Sequence, residues 1–336
     1  MSSEILSTLL LKYDQKKRRA ELDLENRKNE LYVRFPRLQE IENELNNFAI
    51  TTAKNILNGS SNSLNELNAK VSELKAEKEN ILKQNKIPNN YLEPNYECFI
   101  CKDTGYIQTN DSASSLCTCL KQKLLDISYN KSNISNLGKE NFDTFRPEIF
   151  SDVVEPEKYK MNISPRQNMI AIKEKCIEFI ENFDNPETHN LLFTGNTGLG
   201  KTFMSNCIAN ELIKKGKNVL YQTAPVLLET VIDNKMNKYK TSSQDNFYKT
   251  VLEADLLIID DLGTECLNSM KLSELFTILN TRLLNLNNKV TKTIISTNLN
   301  INNIFKSYEE RIGSRIAGFY DIYYFFGDDL RFKIKK

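Results

Sequence analysis

The segment "GNTGLGKT" at 195–202 satisfies G-x-x-x-x-G-K-[ST] at every fixed position. Gly195, Asn196, Thr197, Gly198, Leu199 and Gly200 make a loop whose glycines let the backbone curl, so that successive amide hydrogens converge on a phosphate. Lys201 can then reach the β- and γ-phosphates, and Thr202 offers its hydroxyl to Mg2+. The apolar run "NLLF" precedes the loop and a helical segment, "FMSNCIANELIKKG", follows it, which brings the positive end of a helix to the same place. The bland alternative, a structural glycine turn, requires neither the lysine nor that context. The reading is nucleotide binding.

Such a site needs an acidic residue at the tip of a neighbouring apolar strand, and "LLIIDD" supplies two. Asp260 is the candidate partner of Mg2+ through water, and Asp261 the candidate that polarises an attacking water. A turn or helix-capping aspartate is the competing reading. A further strand, "TIIST", ends in Asn298, whose amide can hold a lytic water or sense a γ-phosphate, although asparagine after a strand is usually a turn residue. In "YEERIGSRIAGF", Arg311 and Arg315 stand four apart and share one helix face. They are either solvated helix arginines or a finger that enters a neighbouring subunit's nucleotide site; the chain alone leaves both open.

A second constellation lies upstream. Cys98, Cys101, Cys117 and Cys119 are four of seven cysteines crowded into 22 residues. Thiolate pairs separated by a flexible hairpin suit tetrahedral Zn2+, with "KDTG" and "NDSAS" supplying turns. The C-x-C end is less usual than C-x2-C, and an iron–sulfur cluster or uncoordinated buried thiols are the alternatives. With four thiolates no position is left open, so the site is structural. Cys176, Cys207 and Cys266 read as ordinary apolar residues, and His189, the single histidine, is given no role.

These groups must be positioned by the rest of a 336-residue chain, a length that fits one large or two modest domains. With 45 basic and 44 acidic residues, the chain is no strongly basic DNA-coating protein, although local basic patches remain open at "KKRR" (16–19) and "FKIKK" (332–336). No run of about 20 apolar residues is present. The start has an apolar patch before its basic cluster and no small-residue cleavage site, the wrong order for a secretory signal, so a cytoplasmic protein is expected.

Residues 1–90 read as helices, broken near Pro36 and at "NGSSNS" (58–63). Leu64, Leu67, Val71, Leu74, Lys78 and Ile81 follow a 3-4-3-4-3 spacing, which suits a helix packed on a neighbour or a short coiled coil. Residues 91–125 form the metal module, and residues 121–136 look helical at first and then dissolve into "NKSNISNLG". Residues 126–160 are the linker, extended from 137 onward. Residues 161–336 are the catalytic domain. In that last part, strands at 190–195, 218–224, 255–261, 291–297 and 321–327 alternate with helices at 165–183, 200–215, 225–236, 269–286 and 307–317. Short apolar runs without strict alternation are what buried parallel strands look like, so the expected fold is α/β with a five-stranded parallel sheet.

Taken together, the cysteine cluster, "SPRQNM", "LLFTGNTGLGKT", "LLIIDDLGTE", "IISTN" and "ERIGSRI" resemble the bacterial DnaC/DnaI-type replicative helicase loaders, which are AAA+ P-loop ATPases. The resemblance is specific from about residue 90 onward and rests only on helical character before it. It implies that Gly195–Thr202 form the Walker A loop, Asp260 and Asp261 the Walker B pair, Asn298 sensor 1, and Arg315 the arginine finger with Arg311 as the nearby second candidate. Walker B here ends Asp-Asp where many AAA+ proteins have Asp-Glu, which suggests slow turnover suited to a switch. After the last strand there is no room for the usual helical lid, and Arg331 is at most a substitute for its sensor. The resemblance also implies ATP, Mg2+ and Zn2+ as ligands, helicase binding by 1–90, and a DnaB-type hexameric helicase as partner. Single-stranded DNA, self-association through the AAA+ domain and contact with other primosome proteins complete that expectation. A transposition helper ATPase and a non-catalytic ATP-binding adaptor are the competing functions.

Overall fold

Pro36 cannot continue a helix begun before it, and the chain obeys. The computed structural model describes residues 2–57, 64–108, 114–128, 140–236, 242–284 and 289–334. Two compact units divide it, Ser7–Ser115 and Met1–Leu6 with Leu116–Lys336. In the first, α1 (Ser2–Arg34) ends just before Pro36, which opens α2 (Pro36–Leu57), and α3 (Leu64–Gln84) packs back on α2. The expected break at 58–63 lies outside the described residues. Leu82 joins Leu31 and Leu38 in a small core that Phe35 and Ile87 close. The polar interruption of the α3 stripe has a partner: Lys78 Nζ lies 3.5 Å from Glu42 on α2. Arg37 adds a two-pronged bond to Glu77, at 2.8 and 3.0 Å. Two short strands, β1 (Tyr106–Gln108) and β2 (Ser114–Leu116), form a hairpin; four residues of its "NDSAS" turn, 110–113, lie outside the described residues.

The larger unit continues with α4 (Thr118–Ser128), the helical part expected from 121; the stretch "NKSNISNLG" into which it was expected to dissolve lies outside the described residues. The short α5 (Pro156–Tyr159) leads to α6 (Pro165–Glu181), started by a capping box in which Ser164 Oγ accepts from the Gln167 amide. The core is then β3 (Asn190–Gly195), α7 (Lys201–Lys214), β4 (Val219–Thr223), α8 (Ala224–Met236), α9 (Ser242–Glu253) and β5 (Leu256–Leu262). It ends with α10 (Ser269–Leu283), β6 (Lys292–Thr297), α11 (Ile301–Ser307), α12 (Glu309–Phe319), β7 (Tyr320–Phe325) and α13 (Arg331–Ile334). No described helix is long and apolar enough to cross a membrane.

Strands β3 to β7 make the expected five-stranded sheet, every pairing parallel, in the order β4-β5-β6-β3-β7. All six residues of β3 and of β6 are buried, which explains why their apolar centres, Leu191–Phe193 and Ile294–Ile295, show no polar alternation. Side chains alternate between two cores: Leu191 and Phe193 face α6 and α7, while Leu192 faces the layer of α8, α10 and α12. Because the strands are parallel, their C-terminal ends form one edge, where Gly195, Asp260 and Thr297 come together.

Three departures from the sequence reading matter. Helix α9 was not expected. Its end is held by Arg282, buried on α10, whose guanidinium donates to the carbonyls of Val251 and Ala254 at 2.9 Å and of Lys292 at 2.7 Å. Residues 301–319 form two helices that meet at Tyr308. The stretch expected as an extended connection lies instead against the core, with Phe142, Phe145, Ile149 and Phe150 packed beside Met169 and Leu199. At β4, the last strand in the order, Gln122 on α4 accepts from the Val219 amide at 2.7 Å and donates to the Val219 carbonyl at 3.1 Å.

Candidate active site and metal centre

The loop after β3 is shaped by close approach. Gly195 has φ +139°, and a Cβ there would lie 2.1 Å from the Phe325 carbonyl oxygen on β7. Gly198, at φ +74°, leaves 1.9 Å between a would-be Cβ and Asp329 Oδ1. The Leu330 amide donates to the Gly198 carbonyl at 3.0 Å, so the chain after β7 braces the outside of the loop. At Gly195 the obstacle is backbone and no side chain fits; at Gly198 the Asp329 carboxylate could move, and the left-handed φ is what favours glycine.

Lys201, the first residue of α7, is buried, and its Nζ donates to the carbonyls of Gly195 at 2.6 Å and Asn196 at 2.7 Å and to Asn298 Oδ1 at 2.9 Å. Burial pushes its amino group down to about 8, with Arg331 adding to the depression and Asp261 and Asp260 opposing it. Thr202 Oγ1 donates to Asp260 Oδ2 at 3.1 Å. A hydroxyl whose hydrogen is committed to a carboxylate keeps its lone pairs for a cation.

Asp260, almost fully buried at 4% exposure, also accepts from Tyr221 on β4 and Ser296 on β6. Asp261 sits where the β5–β6 register shifts, at φ +55°, and its amide donates to Ser296 Oγ at 3.2 Å. Its carboxyl is pushed up, first by burial and then by the Asp260 charge, while Lys201 and Arg331 hold it down. A hard cation fits this donor set of hydroxyl plus carboxylate at a phosphate-binding loop, and Mg2+ keeps several waters when bound in this way.

Lys201, Thr202, Asp261 and Asn298 line one cavity of about 340 Å3 together with Gly198, Gly200 and Arg331. Its other wall is Glu140, Phe145, Arg146 and Phe150, which sequence reasoning missed because irregular chain has no periodicity to betray what it lines. Arg311 and Arg315 do not line that cavity. Both guanidinium groups stack over Phe276, at 4.6 and 5.7 Å from the ring centre, and Arg315 Nε donates to Asn280 Oδ1 at 2.9 Å. The loop after Asp261 is tied to their helix: Glu265 accepts from Tyr308, the residue before α12, and from the Gly263 amide at 3.0 Å. His189 stands at the opposite end of β3, its Nδ1 3.0 Å from Asp321 Oδ1. In "KKRR", Lys16, Lys17 and Arg18 are each paired with a carboxylate, and the last two residues of "FKIKK" lie outside the described residues.

The sulfur atoms of Cys98, Cys101, Cys117 and Cys119 all lie within 4.8 Å of one another. A tetrahedron of thiolates around Zn2+ requires sulfur separations of about 3.8 Å, so the donor set fits that ion. The first pair is presented by a tight turn. Lys102 and Asp103 have φ near the left-handed region, at 50° and 56°. Asp103 accepts from the Glu97 and Cys98 amides at 2.9 Å, and the Gly105 amide donates to Cys101 Sγ at 3.4 Å. Such outer contacts fix thiolate orientation.

Comparison with known proteins concentrates on the sheet-bearing half. Residues 152–311 match the family described as IstB-like ATP binding protein. The replicative helicase loader DnaC of Escherichia coli K12 is 28% identical over 109 residues, 32% of this chain and 42% of that protein. The chromosomal replication initiator DnaA of Buchnera aphidicola is 32% identical over 149 residues, 43% of this chain and 32% of that protein. The chain thus spans less than half the length of these curated relatives. Among solved structures, the DnaC helicase loader aligns with a TM-score of 0.45 at 23% identity, covering 57% of this chain and 99% of that one. DnaI aligns with a TM-score of 0.39 at 20% identity, covering 56% and 95%.

Proposed function

We propose, from the premise that residues 152–311 carry an IstB/DnaC-type ATP-binding domain, that this chain is an ATP-hydrolysing loader of a replicative DNA helicase. The observation that carries the reading is the convergence of Lys201, Thr202, Asp260 and Asn298 on one edge of the sheet. ATP enters the cavity with its phosphates on the loop 195–202, where Lys201 turns its charge from backbone carbonyls to the β- and γ-phosphates. Thr202 and, through water, Asp260 would hold Mg2+, which would supply charge neutralisation at the phosphates. Asp261, more basic than a solvated aspartate, polarises the attacking water, and Asn298 positions it beside the γ-phosphate.

Arg315 completes the site of a neighbouring copy, with Arg311 as the second candidate; their place outside the cavity of their own chain supports action in trans. Nucleotide state is then read as subunit packing, which suits a slow assembly and release switch on single-stranded DNA. The helical region 1–90 contacts the helicase, a DnaB-type hexamer, and the four cysteines hold Zn2+ as a structural brace. Other primosome proteins are further partners of the same assembly.

A transposition helper shares the core over which the family match extends, and the cysteine cluster outside that core favours the loader. The deciding experiment is a pull-down with the hexameric helicase, using the whole chain and a version beginning at residue 140, which keeps the cavity wall. Retention of the whole chain alone supports the loader. Retention of neither moves the assignment to the transposition helper.

A further inference from the structure

Asp260 is served by more donors than a metal-facing carboxylate requires. Oδ2 accepts from Thr202 Oγ1 at 3.1 Å and from the Tyr221 hydroxyl; Oδ1 accepts from the Ser296 hydroxyl and the Asp261 amide at 3.1 Å. A carboxylate has about four in-plane acceptor positions; Tyr221, Ser296 and the Asp261 amide fill three, and the fourth, taken by the Thr202 hydroxyl on the phosphate-loop side, is the one that would turn to a Mg2+-bound water. Thr202 belongs to the phosphate loop, but Tyr221 and Ser296 come from the strands on either side of β5 and approach from within the sheet. Tyr221 is 2% exposed and Ser296 0%, so neither can touch nucleotide.

Ser296 does a second job. Its Oγ accepts from the Asp261 amide at 3.2 Å while its hydrogen goes to Asp260. One hydroxyl therefore joins both acidic residues where the β5–β6 register shifts between Ile259 and Leu262 and Asp261 takes φ +55°. An aspartate in the left-handed region persists where its surroundings over-determine it, and the hydrogen bond from its own amide is such a constraint. In the ordinary register that amide would point along the ladder, and the Asp261 carboxylate would leave the cavity it now lines.

We infer that Ser296 and Tyr221 are positioning residues for the metal-binding half of the nucleotide site: a pair of buried hydroxyls that fix the rotamer of Asp260 and, through Ser296, the backbone of Asp261. The inference rests on the ATPase reading and deepens it. Carboxylates that hold a metal, directly or through its waters, are tuned by groups that orient them, and loss of such a partner typically costs about 10- to 100-fold in metal affinity or activity. Among the described residues the hydroxyl of Ser296 bonds only to Asp260 and Asp261 and not to the phosphate loop, so metal-free nucleotide binding should not depend on it.

The test is titration of the full chain with a fluorescent ADP analogue, with and without Mg2+, for the wild type, Ser296→Ala, Tyr221→Phe and Lys201→Ala. Ser296→Ala raises the Mg2+ concentration for half-maximal enhancement about 10-fold and leaves metal-free affinity within about 2-fold; Tyr221→Phe gives about a 3-fold rise. Ser296→Thr, which restores the hydroxyl, returns the Mg2+ dependence toward wild type. Unchanged Mg2+ dependence in both Ser296→Ala and Tyr221→Phe overturns the inference, as does an equal loss with and without metal. If Ser296→Ala does not fold, Tyr221→Phe decides alone, since it keeps the ring in the core. A wild type whose binding ignores Mg2+, with Lys201→Ala binding equally well, strikes the ATPase reading itself and is recognised by that pattern.

Discussion

Lys201 Nζ and Asn298 Oδ1 are 2.9 Å apart, a direct link between the phosphate loop and the tip of the neighbouring strand β6. The amide is thus placed where the terminal phosphate would draw the lysine away from it. Replacing Asn298 with Ala should leave ADP affinity within a few-fold and lower single-turnover ATP hydrolysis about a hundredfold. Equal losses in binding and hydrolysis would make Asn298 a structural residue.

The charge on Lys201 gives a pH dependence of defined sign. Its amino group titrates at about 8 rather than 10.5 because burial disfavours the charged form. The unfolded chain therefore binds more protons between those values, and this group makes stability rise with pH across that window. Phosphate binding runs the other way, since only the charged form attracts it. The dissociation constant for ADP should increase as pH rises through about 8, by at most about tenfold per unit, and Lys201→Arg should flatten the slope. Fluorescence titration over that range measures both.

Gly195→Ala places a methyl 2.1 Å from the Phe325 carbonyl oxygen, a backbone atom that cannot swing aside. The variant should lose roughly 3 kcal/mol and melt roughly 6–12 °C lower. Calorimetry with unchanged melting would mean that β3 and β7 separate more readily than their register implies.

For the cysteine cluster, metal analysis of the purified chain should give about one zinc per molecule, and Cys101→Ser should remove it. A stoichiometry near zero in the wild type would end the zinc assignment.

Arg315→Ala should keep ADP binding by the isolated chain and lower turnover in the assembled state by about a thousandfold. The same comparison for Arg311→Ala identifies which of the two arginines over Phe276 reaches a neighbour; the finger is the one whose loss falls only on the assembled form.

The strands were legible because burial on both faces leaves a run such as "NLLF" or "LLII" with no polar alternation, and the loop after β3 because its glycines are demanded by the fold. Helix α9 was missed because "SSQDNFYKTVLE" is only 12 residues long, and its two apolar pairs at helical spacing, Phe247/Val251 and Tyr248/Leu252, make little more than one turn of periodic signal. The wall from Glu140 to Phe150 carries no period at all; its aromatics declare themselves only when they meet Met169 and Leu199. Tyr221 and Ser296 were hidden for a different reason. A hydroxyl in a strand looks like any other β-forming residue until the neighbouring strand places a carboxylate beside it.

Gln122 satisfies the amide and the carbonyl of Val219 with its side chain, supplying in miniature what an adjoining strand would supply. Removing that glutamine would strip this side-chain bracket from the outer rim of β4, the place where an extended peptide could otherwise add to the sheet. One amide side chain on a helix therefore guards the sheet edge against fibrous stacking.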